Sequence, residues 1–155
     1  MTTFEQDSQY EYATFRRRLL AMILDQLILL IPVLIIALTI GVMIGIFIPT
    51  YNEAMLELIG NFISVIITWL YYAIMESSAK KATFGKLLLR LQVTDLNGDR
   101  ISFMRATGRY FGKIISGMIL LIGYFMVLFT DRKQGLHDMM AGCLVLKKLK
   151  PETNA

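Results

Sequence analysis

A run of 27 residues without a charged side chain, from Gln26 to Asn52, constrains this sequence more than any other feature. A helix of that length has no polar face to present to water, so a soluble helical bundle fits it poorly. The hydrocarbon core of a bilayer requires about 20 apolar residues of helix, with a range of roughly 17 to 25. Hydrophobic residues also make up 55% of the chain, which is well above soluble usage. The sequence therefore predicts an integral membrane protein.

Two further uncharged runs follow: Leu58–Met75 with 18 residues and Ile114–Thr130 with 17. The first is long enough to cross a bilayer, and the second is at the lower limit. We predict an all-α transmembrane bundle with two long spanning helices, a third hydrophobic segment that is re-entrant or spanning, and a small cytoplasmic β-hairpin. The expected ranges are a polar tail at 1–14, a membrane domain at 15–147 with spans near 19–48, 58–76 and 107–130, a hairpin near 91–103, and a basic tail at 148–155.

The basic residues indicate the orientation of the chain. All sixteen lie outside the loop 49–57, so the positive-inside bias puts the N-terminus and the loop 77–113 in the cytoplasm. A single crossing by the third segment would leave five basic residues of the tail outside. A break near Gly117 or Gly123 would keep them inside, and only then could the late run CLVLK pair with the hairpin expected around Asn97-Gly98. Both forms stay open, and charge and pairing favour the re-entrant one.

An aspartate, Asp25, interrupts the first apolar segment, and Arg18 precedes it by seven residues, or close to two helical turns. Carboxylates held within a membrane usually mark ion or proton paths. The alternative is a structural ion pair that fixes the register of the helix. Because Arg18 leans away toward the headgroups, we expect Asp25 to find its partner on another segment or in water. Glu76, at the end of the second span, is expected at a similar depth.

Small residues recur every four positions in the first span, at Ala37, Gly41 and Gly45. Such a stripe lets helix backbones approach closely in lipid. It fits packing against the second span of the same chain and self-association equally well. The sequence therefore predicts a packing face here without naming its partner.

A basic stripe of Arg105, Arg109 and Lys113 begins the third segment, and its spacing suits anionic lipid headgroups. Nucleic acid is a poor alternative, because the basic residues are spread over loops beside apolar spans. One histidine, His137, and one cysteine, Cys143, do not make a zinc site within a monomer. We therefore predict no catalytic residues, no metal and no cofactor.

Three motifs in order resemble the RDD family of bacterial membrane proteins. They are Arg18-x-x-Ala21-x-x-x-Asp25, Thr83-x-Gly85-Lys86 followed by LQVTDLNGDRIS, and QGLHDMMAG near the end. By this resemblance, Arg18 is the family arginine and Asp25 the first aspartate. Asp138 is the choice for the second aspartate, with Asp95 as the alternative. Cys143 stands where the family often has threonine.

The resemblance implies transport of unidentified ligands, and for some members sodium/proton antiport by homo-oligomers. We therefore predict a small secondary transporter or cation/proton antiporter subunit in a bacterial plasma membrane, with a cytoplasmic N-terminus. Asp25 would alternately hold a proton and a monovalent cation, supported by Arg18, Asp138 and Glu76, within a homo-oligomer in the lipid bilayer. The alternative is a non-transporting membrane scaffold that binds a protein partner or anionic lipid through its cytoplasmic basic loop.

Overall fold

The computed structural model describes residues 9–48, 50, 52–119 and 122–149, except for the side chain of Ile122. In chain order the elements are β1 (Tyr10–Tyr12), α1 (Phe15–Phe47), α2 (Glu53–Glu76), α3 (Phe84–Leu88), β2 (Leu91–Asp95), α4 (Phe103–Met118), α5 (Ile122–Phe125), a 3-10 turn (Met126–Leu128), α6 (Leu136–Met140) and β3 (Cys143–Lys148). The fold is mostly helical with one small sheet.

Helices α1 and α2 are long and apolar enough to cross a membrane, as the two uncharged runs predict. Their 33 and 24 residues correspond to about 50 and 36 Å of helix, against a hydrocarbon core of about 30 Å. Within their most apolar stretches only 6% and 11% of the residues are buried. Side chains such as Ile31 and Phe47 are 64% and 71% exposed. Exposure of this kind is stable in lipid and costly in water.

The small-residue stripe of α1 does not pack closely against α2 within one chain. Toward their far ends the two helices leave a groove of about 430 Å³ between them, which Ala37, Gly41 and Gly60 help to line. A methyl group placed on Gly41 or Gly45 would meet no described atom within 4 Å. Within the described residues the stripe therefore faces α2 across a groove and is not packed closely against it.

The three-stranded sheet has the order β1-β3-β2, with both pairings antiparallel. Tyr12 is opposite Leu146, and Val93 is opposite Val145. Since β1 precedes α1, β2 follows α2 and β3 lies near the C-terminus, three distant segments of the chain meet at one end of the helix pair. The late strand thus joins the sheet as predicted, whereas the sequence did not predict β1.

The predicted hairpin near 91–103 is wrong in its second strand. After β2 the chain makes a turn in which the Asp95 carboxylate accepts hydrogen bonds from the backbone of Asn97 and Asp99, both at 2.9 Å. Only one isolated bridge, between Thr94 and Arg100, follows the turn. The chain then enters α4, where the Ser102 hydroxyl accepts a hydrogen bond from the Arg105 backbone at 3.3 Å. Ser102 and Phe103, the last residues of the predicted hairpin, thus form the start of α4 and not the end of a strand.

The third hydrophobic segment turns back instead of continuing as one helix. Helix α4 ends at Met118 after 16 residues, and α5 packs against it, with the Tyr124 hydroxyl donating to the Lys113 carbonyl at 3.1 Å. Gly123 lies so close that a methyl group there would be 2.7 Å from Ser116 Cβ. The described part of the chain therefore contains no third membrane-crossing helix. This path resembles the re-entrant alternative.

The hydrophobic core lies where the sheet meets the first turns of α1 and the last turns of α2. Its side chains are small on the helices, at Ala21, Ala73 and Ala106, and branched on the sheet, at Val93 and Val145. Because alanine lets helix backbones approach closely, this end of the fold is tightly joined while the far ends of α1 and α2 separate. The charged residues described next are anchored on this joined end.

Candidate functional site: a buried charge cluster

Among the described residues, seven acidic and basic side chains gather beside the core where α1, α2, α3, α4 and α6 meet, and we call them the charge cluster. The carboxylates are Asp25, Glu76 and Asp138, and the cations are Arg18, Lys86, Arg109 and Lys113. All three carboxylates are 0% to 1% exposed. Buried charges are stable only when paired and hydrogen-bonded, so the contacts of each carboxylate decide what the cluster can do.

Asp25 accepts hydrogen bonds from three neutral donors. Its Oδ1 accepts from the Tyr71 hydroxyl and the Gly85 backbone, each at 2.7 Å, and its Oδ2 accepts from the Thr83 hydroxyl at 2.6 Å. These bonds join α1 to α2 and to the start of α3. Among the described residues, no lysine or arginine forms an ion pair with Asp25. Its partners therefore lie on other segments, in line with expectation, but they are uncharged.

Gly85 explains how α3 comes close enough to bind Asp25. A methyl group at this position would overlap the Ala21 carbonyl oxygen and would lie 2.9 Å from Asp25 Cγ and Asp25 N. Only glycine permits this approach of the two backbones. The motif Thr83-x-Gly85 thus supplies a hydroxyl, a backbone N–H and the space for α1, all directed at the same carboxylate.

Glu76, the last residue of α2, contacts three cations. It forms ion pairs with Lys86 and with Arg109 Nη1, the latter at 2.6 Å, and Lys113 Nζ is 3.6 Å from its Oε1. Lys113 also lies over the ring of Tyr72, 4.2 Å from the centroid. Burial lowers the pKa of Lys86, and the adjacent Glu76 carboxylate partly offsets that effect. Three cationic side chains thus contact the single negative charge of Glu76, so positive charge is in excess around it.

Asp138, on α6, contacts both arginines of the cluster. It forms an ion pair with Arg18, and Arg109 Nε donates to its Oδ1 at 2.7 Å. Although burial acts to raise it, Arg109 and Arg18 hold the pKa of Asp138 well below its usual range. The neighbouring His137 is buried too, and burial lowers its pKa to about 3. Arg109 therefore bridges the carboxylates of α2 and α6.

Arg18 is directed at Asp138 and not at Asp25, the residue seven positions along its own helix. Its remaining donors bind backbone carbonyls, from Nε to Ala13 at 3.1 Å and from Nη2 to Lys133 at 2.5 Å. Arg18 is thus in contact with Asp138, the aspartate chosen above as the second one of the family motif. Asp95, the alternative second aspartate, lies in the turn after β2, outside the cluster.

The predicted headgroup stripe on α4 mostly faces inward. Arg109 is 2% exposed between its two carboxylates, and the Lys113 side chain is 21% exposed. Arg105 is the exposed member, with Nη1 at 3.7 Å from Asp95 Oδ2. A four-residue spacing defines one face of a helix, and here most of that face meets buried acids. The prediction for Arg109 as a headgroup contact differs from the structure.

A cavity of about 490 Å³ opens beside the cluster between α1, α4 and α5. All four cluster cations line it, and of the three carboxylates only Asp25 does. The volume falls within the range of small-molecule sites, roughly 300 to 1,000 Å³. No group of three histidine, cysteine, aspartate or glutamate side chains in the described ranges is placed to hold a metal ion.

Four contact residues, Tyr71, Thr83, Gly85 and Lys86, were absent from the predicted site. The signal for three of them was present in the motif Thr83-x-Gly85-Lys86, which carried the family resemblance without a chemical role. Tyr71 follows Asn61, Ser64 and Thr68 along α2 at spacings of three or four residues. Among these polar residues, its contact with Asp25 is what identifies it as part of the site. A lysine and a glycine inside an apolar stretch were the features that could have identified this segment.

Comparisons with known proteins give the family. The RDD family model matches residues 12–142. Similar curated proteins include the uncharacterized protein YxaI of Bacillus subtilis (strain 168), 40% identical over 86 residues that cover 56% of each chain. The uncharacterized protein RP437 of Rickettsia prowazekii (strain Madrid E) is 34% identical, over 54% of this chain and 43% of its own. The uncharacterized membrane protein YteJ of Bacillus subtilis (strain 168) is 29% identical, over 54% and 51%.

The chain thus spans about half the length of the curated relatives it matches, and no solved structure matches it. The matched range 12–142 runs from β1 to the residue before β3 and contains every member of the charge cluster. One relative carries the word membrane in its name, and two helices of this chain are long and apolar enough to span a bilayer. On this evidence the chain is a membrane protein that belongs to the RDD family.

Proposed function

We propose that the protein is a subunit of a small secondary transporter that exchanges protons and monovalent cations at Asp25. The observation that carries the proposal is a fully buried carboxylate, held by neutral donors, on the wall of a cavity. Protonation of Glu76 or Asp138 would break ion pairs. Protonation of Asp25 would cost one hydrogen bond at most, because a carboxylic acid still accepts at its other positions. Asp25 is therefore the member of the cluster best able to exchange its charge.

The rest of the cluster has a supporting role in this proposal. Arg18, Asp138, Arg109 and Glu76 form a continuous chain of ion pairs across α1, α6, α4 and α2. Such a network holds the segments around Asp25 in a fixed arrangement. The positive-inside bias supports a cytoplasmic N-terminus in a bacterial plasma membrane.

Two spanning helices enclose too little space for a path, so the proposal includes a homo-oligomer. The open groove beside Ala37 and Gly41 supports a second copy as the partner of that stripe. Gly41→Leu should fill the groove and reduce the oligomer without loss of fold, since nothing described lies within 4 Å of that position. Gly108→Leu, at another open position, is the control. Equal oligomer fractions for both variants in chemical crosslinking would contradict this interface.

The experiment that tests transport is ion flux in proteoliposomes under a pH gradient, with sodium, potassium and lithium in turn. Wild-type protein should exchange at least one of these ions, and Asp25→Asn should abolish the exchange. Asp95→Asn serves as the matched control, because that carboxylate lies in the turn outside the cluster. Unchanged flux in a folded Asp25→Asn variant, or no flux for any of the three ions in the wild type, would refute the proposal.

A second candidate is a non-transporting scaffold, which four exposed cations favour. Lys80, Arg90, Arg100 and Arg105 are exposed in and around the segment between α2 and α4. They suit an acidic protein partner or an anionic membrane surface. Replacement of these four residues by glutamine would separate the candidates: a scaffold loses its partner in a pull-down, whereas a transporter keeps its flux.

A further inference from the structure

The walls of the cavity beside the charge cluster combine strong positive charge with an apolar rim. Its lining includes four cationic side chains against one carboxylate, because Glu76 and Asp138 lie behind the cations and do not line it. Lys113, with 21% of its side chain exposed, is more accessible than Arg18, Lys86 or Arg109, at 11%, 8% and 3%. The interior of the cavity therefore complements an anion.

The rim of the same cavity is apolar and open. Leu19 and Met22 of α1, Ile114 of α4 and Phe125 of α5 line it, and each is 41% to 46% exposed. Gly117, near the end of α4, also lines the cavity and leaves further space, since no described atom lies within 4 Å of a methyl group built there. A ligand that only carried charge would leave this apolar surface without a partner.

The length of α1 indicates the depth at which the cavity would lie in a bilayer. The part of α1 that lines it runs from Phe15 to Gln26, which is about 16 Å of helix. Because α1 is about 20 Å longer than a hydrocarbon core of about 30 Å, its arginine-bearing first turns extend into the headgroup layer. The cations of the cavity are thus near the headgroups, and its apolar rim is beside the acyl chains.

From the positive walls, the apolar rim and the expected depth of the cavity we infer that it binds one acidic phospholipid, with its phosphate near Lys113 and an acyl chain along the apolar rim between α1 and α4. The phosphate supplies the negative charge that the cluster lacks, and the chain covers the exposed rim. This site is distinct from the exposed cations of the second candidate function, and it does not depend on transport. A soluble phosphate compound shares the headgroup chemistry, so the test includes it as a separate arm.

The test is native mass spectrometry of the purified full chain in a neutral detergent with added phosphatidylglycerol. We expect a single tightly retained lipid, with phosphatidylcholine at least about tenfold weaker, a difference of about 1.4 kcal/mol. Lys113→Gln should weaken retention by a similar factor by removing the accessible cation. Arg105→Gln is its matched control, because Arg105 is on the same helix but does not line the cavity.

A second pair of variants tests the shape of the site without changing any charge. Gly117→Leu should place a side chain in the cavity and displace the lipid, while Gly108→Leu, equally open but outside the cavity, should retain it. Equal retention in Gly117→Leu and Gly108→Leu would overturn the assignment. So would displacement of the lipid by inorganic phosphate at equal concentration, since the site would then recognise the anion without its chain.

Discussion

At the scale of single residues, Arg109 connects the two halves of the charge cluster. Its guanidinium binds Glu76 through Nη1 and Asp138 through Nε, at 2.6 and 2.7 Å. Two different edges of one rigid group therefore fix the distance between α2 and α6. A lysine, with a single ammonium group, cannot reproduce this geometry. Pairing with two carboxylates at once offsets the cost of burying the Arg109 charge.

Removal of one charge from this network should be costly. Asp138→Asn leaves Arg18 and Arg109 buried with less negative charge, so we expect a loss of about 3 to 5 kcal/mol in the free energy of unfolding. Asp95→Asn should change it by less than about 1 kcal/mol, because asparagine keeps an oxygen that accepts the same turn hydrogen bonds. Equilibrium unfolding in a mild detergent measures both. Equal losses would contradict a structural role for the Asp138 ion pairs.

His137 should make the protein sensitive to mild acid. Burial lowers its pKa from 6.5 to about 3, so below pH 6.5 the unfolded chain binds a proton that the folded chain does not. The contribution of His137 to the free energy of unfolding is therefore fully present above pH 6.5. It falls with decreasing pH, by up to about 1.4 kcal/mol per pH unit, until the pKa of His137 in the folded protein is reached. Unfolding measured between pH 7 and 5 should show this slope in the wild type. A His137→Gln variant with the same slope would assign it to another group.

At the scale of elements, the backbones of α3 and α1 approach closely at Gly85. Gly85→Ala would force a methyl group against the Ala21 carbonyl and the Asp25 backbone, so we expect a loss of about 1 to 3 kcal/mol. Gly108→Ala, where the added methyl group meets nothing within 4 Å, should be neutral or gain up to about 1 kcal/mol from helix propensity. Thermal unfolding in detergent compares the two. If Gly85→Ala were more stable than Gly108→Ala, the backbones of α1 and α3 would have to be further apart than in this structure.

Some features of these elements could be predicted from the sequence, and others could not. The uncharged runs predicted that α1 and α2 are long apolar helices, because a bilayer selects for length and apolarity, although both helices begin four or five residues before the predicted spans. The inward direction of Arg109 did not follow, since a four-residue spacing defines a face and not what the face meets. Strand β1 was missed because its three residues, Tyr10–Tyr12, are too few to show a period. The contact of Arg18 with Asp138 joins residues 120 positions apart, and no local pattern encodes such a pairing.

At the scale of the whole molecule, the sheet requires both ends of the described chain to lie on one side of the membrane. Strands β1 and β3 are paired, so a reporter fused before residue 1 and another fused after Ala155 should give the same response. If the N-terminus is cytoplasmic, neither fusion to a periplasmic phosphatase should be active. A fusion in the loop near Asn52 provides the positive control. Phosphatase activity after Ala155 alone would exclude the observed sheet in the membrane-inserted protein.

The pairing of Arg18 with Asp138 also has a consequence in time. A ribosome that adds about 5 to 20 residues per second needs roughly 6 to 24 seconds to travel the 120 residues between them. For most of that interval, once Phe47 has been added, the first helix is complete while the aspartate that will bind its arginine does not yet exist. The nascent protein must therefore shelter that cation with water, lipid phosphate or a chaperone until translation is almost complete.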